Sequence, residues 1–258
     1  MKTIFAKRLS NLNPSPTLAL DAKIKEMIKN GIEVISFGVG EPDFDTPQYI
    51  KEAGKKAIDD GFTKYTPAGG TETLKKAVCS WYEREYGVKI KPSMVVVSNG
   101  AKHSLFNIAL ALIDDGDEVI IPAPYWVSYP EQISLVGGRP VFIKTNIDDN
   151  FKLTPKMIED VVTNKTKAII ISSPSNPTGA VYFKEELLEI IKVSRKYNFY
   201  LIFDEIYDKL VYDKKFCSIL ELVQDDENIR DRVIVVNGVS KSYAMTGWRI
   251  GYTISNEK

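Results

Sequence analysis

The sequence has little of what would tie it to a metal, a disulfide scaffold or a polyanion. Its 258 residues include two cysteines, Cys79 and Cys217, with no C-x-x-C pair, and one histidine, His103. Two separated thiols argue against a disulfide framework or thiolate metal site and suit a reducing compartment. One histidine argues against a histidine-based metal cluster, so no metal is expected. The 34 basic residues are matched by 34 acidic ones. That balance lacks the basic footprint of a nucleic-acid binder. No apolar run approaches the ~20 residues of a membrane span. The segment from Met1 to Leu12 has charges without an apolar centre, unlike a secretory leader. The expectation is a cytoplasmic protein whose partners are neither nucleic acid nor membrane. Arginine is also scarce, seven residues against 27 lysines.

What is present is an alternation of helix and strand patterns. Residues 1–16 read as an arm with turn chemistry at Asn13-Pro14-Ser15-Pro16. Thr17 is placed to cap a helix carrying Leu20, Ile24, Met27 and Ile28 on one face, with Gly31 as its stop. A loop over 41–47 leads to a helix ending near Asp60. A second loop, 63–70, holds Tyr65 and a Gly-Gly pair, and a helix over 71–86 follows. From there β-branched runs recur at 94–98, 118–121, 140–143, 167–171, 199–203 and 232–236. Amphipathic stretches at 101–113, 155–163 and 184–196 separate most of them. Strands buried on both faces and alternating with helices predict an α/β fold, a mainly parallel sheet with helices on both faces.

Ligands of such sheets bind beyond the carboxyl ends of the strands. Five of those ends carry suggestive chemistry. Ser98 to Lys102 joins a strand to a helix start, where backbone N–H groups and the helix dipole favour phosphate; alone, this is more often a plain connection. Pro124-Tyr125-Trp126 offers a flat aromatic face, although a lone tryptophan is usually core. Ser175-Asn176-Pro177 offers an amide. Asp204 follows an apolar run, and an ionised carboxylate buried there needs a cation, of which a pyridinium N–H is one. The competing reading of Asp204 is a helix cap. Tyr207 brings a phenol nearby, or is a satisfied core tyrosine. Lys241 follows a buried strand, flanked by Ser240 and Ser242. A lysine desolvated there has a lowered pKa and suits Schiff-base chemistry, whereas most lysines are simply solvated. Arg249 lies in an apolar run and needs an anion, a ligand phosphate or an internal carboxylate. His103 reads as a satisfied helix residue.

These residues, in this order, resemble the fold-type-I pyridoxal-phosphate (PLP) enzymes, and the prokaryotic-type aspartate aminotransferases among them. The likeness rests on Val39-Gly40-Glu41-Pro42-Asp43-Phe44, Lys64-Tyr65-Thr66-Pro67, Pro124-Tyr125-Trp126, Ser175-Asn176-Pro177-Thr178-Gly179, Asp204-Glu205-Ile206-Tyr207, and Ser240-Lys241 through Gly247-Trp248-Arg249. Six motifs in register cover essentially the whole chain. The resemblance implies a seven-stranded large domain over 48–258, and an arm with part of a small domain over 1–47. It implies that Lys241 holds PLP and shuttles a proton, and that Asp204 keeps the pyridine nitrogen protonated. Tyr207 and Asn176 would bond the ring's phenolic oxygen, and Trp126 would stack on the ring. Gly100, Ala101, Lys102, Ser240 and Arg249 would hold the phosphate. Gly40, with Trp126 and Asn176, would contact substrate. Tyr65 would reach the phosphate of a neighbouring subunit in a homodimer. The Ala123-Pro124 and Asn176-Pro177 bonds would be cis.

Two departures accompany the likeness. Gly238 stands where some branches have a serine, leaving Ser240 to take over one phosphate contact. Family chains also run on well past residue 258, and the arginine that clamps the substrate carboxylate is expected in that part. The implied activity is amino-group transfer between an amino acid and a 2-oxo acid, aspartate or glutamate first and aromatic substrates second. A PLP-dependent C–S lyase on the same scaffold and a non-catalytic effector-binding module are the alternatives.

Overall fold

The β-branched runs form strands and the amphipathic stretches between them form helices. The computed structural model describes residues 6–9, 12, 16–36, 38 and 40–257, with the side chains of 16–18 left aside. In chain order the elements are α1 (Pro16–Lys29), α2 (Gln48–Asp59), α3 (Glu72–Tyr86), β1 (Val95–Ser98), α4 (Ala101–Leu112), β2 (Glu118–Ala123), α5 (Ser128–Leu135) and β3 (Arg139–Lys144). There follow α6 (Pro155–Glu159), β4 (Thr166–Ser172), α7 (Lys184–Tyr197), β5 (Tyr200–Asp204), α8 (Ile219–Val223), α9 (Glu227–Arg230), β6 (Val233–Gly238) and β7 (Gly251–Ile254).

The strands make one sheet in the order β1-β7-β6-β5-β4-β2-β3. The β2–β3, β2–β4, β4–β5 and β5–β6 pairings are parallel, while β7 runs antiparallel to both β1 and β6. This seventh strand has no counterpart among the six runs read from the sequence. Gly-Tyr-Thr-Ile is only four residues long, at the lower limit of what alternation can reveal.

Successive strand residues point to opposite faces, so each strand supplies two cores. Val119, Ile121, Ala168, Ile170, Ile202 and Val236 pack with Leu105 and Ile108 of α4 and Ile133 of α5. Ile120, Ile169, Ile171, Leu201, Phe203 and Val235 pack on the other side with Tyr82 of α3, Leu187 and Ile190 of α7 and Ile219 of α8. Each large side chain buried this way contributes about 1.5–3 kcal/mol of transfer free energy. Helices thus cover both faces of a mainly parallel sheet.

Local chemistry sets several boundaries. The Thr71 hydroxyl accepts the Leu74 N–H at 3.3 Å and starts α3, and Gly87 ends it in the left-handed conformation at φ 66°. Glu205, buried just past β5, accepts from Ser218 Oγ (2.8 Å) and Ile219 N (3.0 Å), tying the start of α8 to the sheet. Thr17 is not the cap of α1, because the helix already begins at Pro16 and Thr17 lies in its first turn. Proline is favoured at that first position, where its missing N–H costs nothing. The expected turn at Asn13, Pro14 and Ser15 lies outside the described residues, as does Val39. On α1, Leu20 and Ile28 are 47% and 55% exposed, while Ile24 and Met27 are half-buried. Among the described residues no helix is long and apolar enough to cross a membrane.

Candidate active site

The carboxyl ends of β2, β4, β5 and β6 and the start of α4 open on one cavity of about 640 Å³. That size suits a small organic ligand. Its lining includes Gly40, Ala101, Lys102, Trp126, Asn176, Asp204, Tyr207, Ser240, Lys241 and Arg249. Residues from Gly40 to Arg249 therefore meet, most of them because the strand ends that carry them are neighbours.

Asp204 ends β5 and is 4% exposed. Its Oδ2 accepts from Tyr129 Oη at 2.7 Å and its Oδ1 from the Ile206 N–H at 3.2 Å. Burial raises its pKa from 3.8 to about 6 against those two hydrogen bonds. No helix follows it, since residues 206–209 form a turn, so the helix-cap reading fails. Among the described residues no salt bridge reaches it. A desolvated carboxylate at a pocket wall, held by two donors and lacking a cation, is a receptor for a cationic ligand group.

Lys241 enters from the turn after β6. Its amine is half-buried, donates to the Gly40 carbonyl and stands 5.6 Å from the centre of the Tyr207 ring. Burial lowers its pKa, with Arg249 adding to that effect and Glu41 opposing it. Asn176 Nδ2 donates to Tyr207 Oη at 3.3 Å, so the amide and phenol point at one place. Trp126 meets Tyr129 edge to face at 5.3 Å, with the Lys102 ammonium 5.4 Å from its ring centre. The Ala123-Pro124 and Asn176-Pro177 bonds are cis as expected, and Ser173-Pro174 is a third.

The anion end of the cavity is built by close backbone approach. Ala101 and Lys102 open α4, so their N–H groups have no preceding helical carbonyl to reach. The Gly100 N–H is instead taken by Ser98 O at 2.8 Å. Gly100 contributes space. Its φ is +86°, and a Cβ there would lie 2.2 Å from an Arg249 guanidinium nitrogen. Arg249 is not buried in its apolar run. It is exposed, because its own left-handed backbone (φ 56°) turns it out over the Gly100 turn. There it donates to Thr246 O (2.7 Å) and Asn99 O (3.4 Å), and no described carboxylate pairs with it. Ser240 is buried and lines the same cavity. His103 accepts the Asn99 N–H at 3.2 Å and braces the same turn.

Residues 40–46 lie across this edge. Glu41 accepts from Thr246, Thr46 Oγ1 donates to Ala244 O at 2.6 Å, and Trp248 Nε1 donates to Thr46 Oγ1 at 3.3 Å. Tyr65 is fully exposed and does not line the cavity. Tyr129 escaped the sequence reading. Its position three residues after Trp126, in the first turn of α5, was the available signal, but a buried tyrosine has no distinctive sequence signature.

Sheet order and pocket chemistry together define a class: an α/β protein fitted for a phosphorylated, cationic heteroaromatic beside a desolvated lysine. The model of the family "aminotransferase class I and II" matches residues 32–258, and the chain belongs to that family. It is 48% identical over 256 residues to an aspartate aminotransferase of Bacillus sp. (strain YM-2), covering 99% of this chain and 65% of that protein. It is also 48% identical to an aspartate/prephenate aminotransferase of Nitrosomonas europaea, with 96% and 62% covered. Among solved structures, an aspartate aminotransferase from Thermus thermophilus with maleate superimposes with a TM-score of 0.93 at 39% identity. It covers 98% of this chain and 65% of that one. The chain thus spans somewhat less than two thirds of the length of these relatives.

The family's cofactor is PLP, and the residues present fit it. The cation-free Asp204 suits a pyridinium. The close packing of Gly100 against Arg249 and the unshared N–H groups of Ala101 and Lys102 suit a phosphate.

Proposed function

We propose that this chain is the cofactor-binding part of a PLP-dependent aminotransferase that moves the amino group of a dicarboxylic amino acid, aspartate first, to a 2-oxo acid. The observation that carries the reading is the pairing of a buried, cation-free carboxylate, Asp204, with a desolvated lysine, Lys241, across one cavity. Bound there, PLP supplies an electron sink for charge developing at the amino acid's Cα.

The chain's own residues do the rest. Burial favours the neutral Lys241 amine, which would hold the cofactor and, when free, would carry a proton between the substrate Cα and the cofactor carbon it had held. Asp204, kept ionised by a cationic partner, holds a proton on the ring nitrogen, and Tyr129 orients that carboxylate. Asn176 and Tyr207 bond the phenolic oxygen, and Trp126 covers a ring face. Ala101, Lys102, Ser240 and Arg249 hold the phosphate, with Gly100 making room. The Gly40 backbone contacts the substrate carboxylate.

The exposure of Tyr65 suits the proposal that it reaches the phosphate of a second subunit in a homodimer. Residues 48–258 are proposed as the large domain, residues 1–47 as an arm and part of a small one, and the protein as cytoplasmic. The relatives' names and the maleate in the Thermus structure support a dicarboxylic substrate. Aromatic substrates come second, and the aspartate/prephenate relatives, named for an oxo acid with a six-membered though non-aromatic ring, support room for a bulky side chain.

The test is borohydride reduction of the PLP-loaded protein, with peptide mapping, beside an assay with aspartate and 2-oxoglutarate. A pyridoxyl mass on the Lys241 peptide and formation of oxaloacetate and glutamate are expected. A label on another lysine sinks the assignment. Pyruvate and ammonia from a β-substituted amino acid, without transamination, would support the C–S lyase instead. Cofactor binding without turnover of any donor would leave a non-catalytic effector module.

A further inference from the structure

Behind the cavity lies a second buried carboxylate that the proposed chemistry does not use. Asp208 is 2% exposed and lies in the turn after β5, one residue beyond Tyr207. Its Oδ2 accepts from Tyr86 Oη of α3 at 2.6 Å and from Asn237 Nδ2 of β6 at 3.2 Å. Its Oδ1 accepts from Ser242 Oγ at 3.2 Å. No described cation bonds to it, since the adjacent Lys209 is paired with Glu85 at 2.7 Å. A carboxylate buried among neutral donors costs several kcal/mol relative to water, so its hydrogen bonds must be well made to hold it.

The bond to Ser242 is the informative one. Ser242 directly follows Lys241, on a turn closed by Tyr243 N to Val239 O (3.2 Å) and Met245 N to Ser240 O (3.1 Å), with Ala244 left-handed at φ 50°. Those backbone bonds hold the shape of the turn. They do not fix where the turn sits against β5 and β6. Asp208 adds a tie there, because its carboxylate links Ser242 to Tyr86 of α3 and to Asn237 of β6 at once. It stands one residue from Tyr207 and, through Ser242, one residue from Lys241.

We propose that Asp208 is a positioning residue that, through the Ser242 hydroxyl, sets where the Lys241 amine stands in the cavity. Asp208 does not itself line that cavity. The inference rests on Lys241 being the attachment lysine.

The test uses the full-length protein freed of cofactor. PLP is added at saturating concentration, the reaction is quenched with borohydride at intervals, and the label on the Lys241 peptide is measured by mass across a pH series. Four variants are compared: Ser242→Ala, Asp208→Asn, both together, and Ser242→Thr. Ser242→Ala removes one hydroxyl at a half-buried position and keeps the test usable if the Asp208 variants fail to fold. Misplacing a reacting group by an ångström costs up to about a hundredfold in rate, so each single variant is expected to slow attachment about tenfold. Each should also move the pH midpoint of labelling. Ser242→Thr should restore both rate and midpoint, and the double variant should be no slower than the slower single. Attachment by Ser242→Ala at the wild-type rate and midpoint would overturn the proposal, as would effects of the two substitutions that multiply. If the wild-type label falls on a lysine other than Lys241, the functional reading itself fails, and that result is distinct from either of these.

Discussion

Replacing Asp204 with asparagine should have opposite effects on the protein without and with its cofactor. Burial raises the Asp204 pKa from 3.8 to about 6. The unfolded chain, with the lower value, gives up this proton more readily. Wild-type stability therefore falls as pH rises from about 3.8 to about 6 and is flat above that, for this group. A difference of about two units at 1.36 kcal/mol each amounts to about 3 kcal/mol at pH 7. Asparagine keeps the shape without the charge. Its oxygen can accept the Ile206 N–H, and its amide can donate to Tyr129 Oη, which rotates to accept. The cofactor-free variant should then be more stable than wild type at pH 7 by up to about 3 kcal/mol, with the gap closing toward pH 4. With PLP the order reverses. A charge-assisted bond contributes about 1.5–3 kcal/mol, so the variant should bind PLP roughly ten- to a hundredfold more weakly and gain correspondingly less from saturating ligand. Urea unfolding of both proteins at pH 7 and pH 4.5, with and without PLP, measures these differences. A cofactor-free variant no more stable than wild type at pH 7, with the same pH dependence, would refute the argument from desolvation.

Two further substitutions probe the same walls. Gly100→Ala forces a Cβ to within 2.2 Å of Arg249 at a φ of +86°. It should cost about 1–3 kcal/mol of stability and weaken PLP binding at least tenfold, read by thermal melts and PLP titration; wild-type values for both would show that the turn has slack. Tyr129→Phe removes a donor that lowers the Asp204 pKa. The carboxyl should titrate at a higher pH, and the pH midpoint of PLP binding should rise with it. An unmoved midpoint would mean that Tyr129 only fills space.

Much of this architecture is legible locally, and the misses follow from chemistry that is not local. The six strands other than β7 are visible because β-branched runs bounded by turn residues have few other uses. The β7 strand is no shorter than β1 but opens on glycine and lacks its unbroken valine run, and its antiparallel place between β1 and β6 depends on strand neighbours. Arg249 reads from its apolar run only as needing an anion, and that its left-handed backbone turns it outward over the Gly100 turn is not visible there. Tyr129 and Asp208 carry no sequence mark, since their roles consist of contacts with Asp204 and Ser242.

By itself the sequence determined the α/β alternation, the strand ends on which functional groups stand, and, through six motifs in register, the family. Those features depend on side-chain periodicity and turn chemistry within short windows. Only the tertiary structure decided which groups share a wall. It brought Asp204 to Tyr129, Asn176 to Tyr207, Gly100 to Arg249 and Asp208 to Ser242, because strand order in the sheet, rather than distance along the chain, sets which strand ends are neighbours. It also decided the electrostatics. An aspartate has an ordinary pKa until the fold removes its water, and it is that desolvation, strong at Asp204 and partial at Lys241, that makes a carboxylate and an amine fit for chemistry.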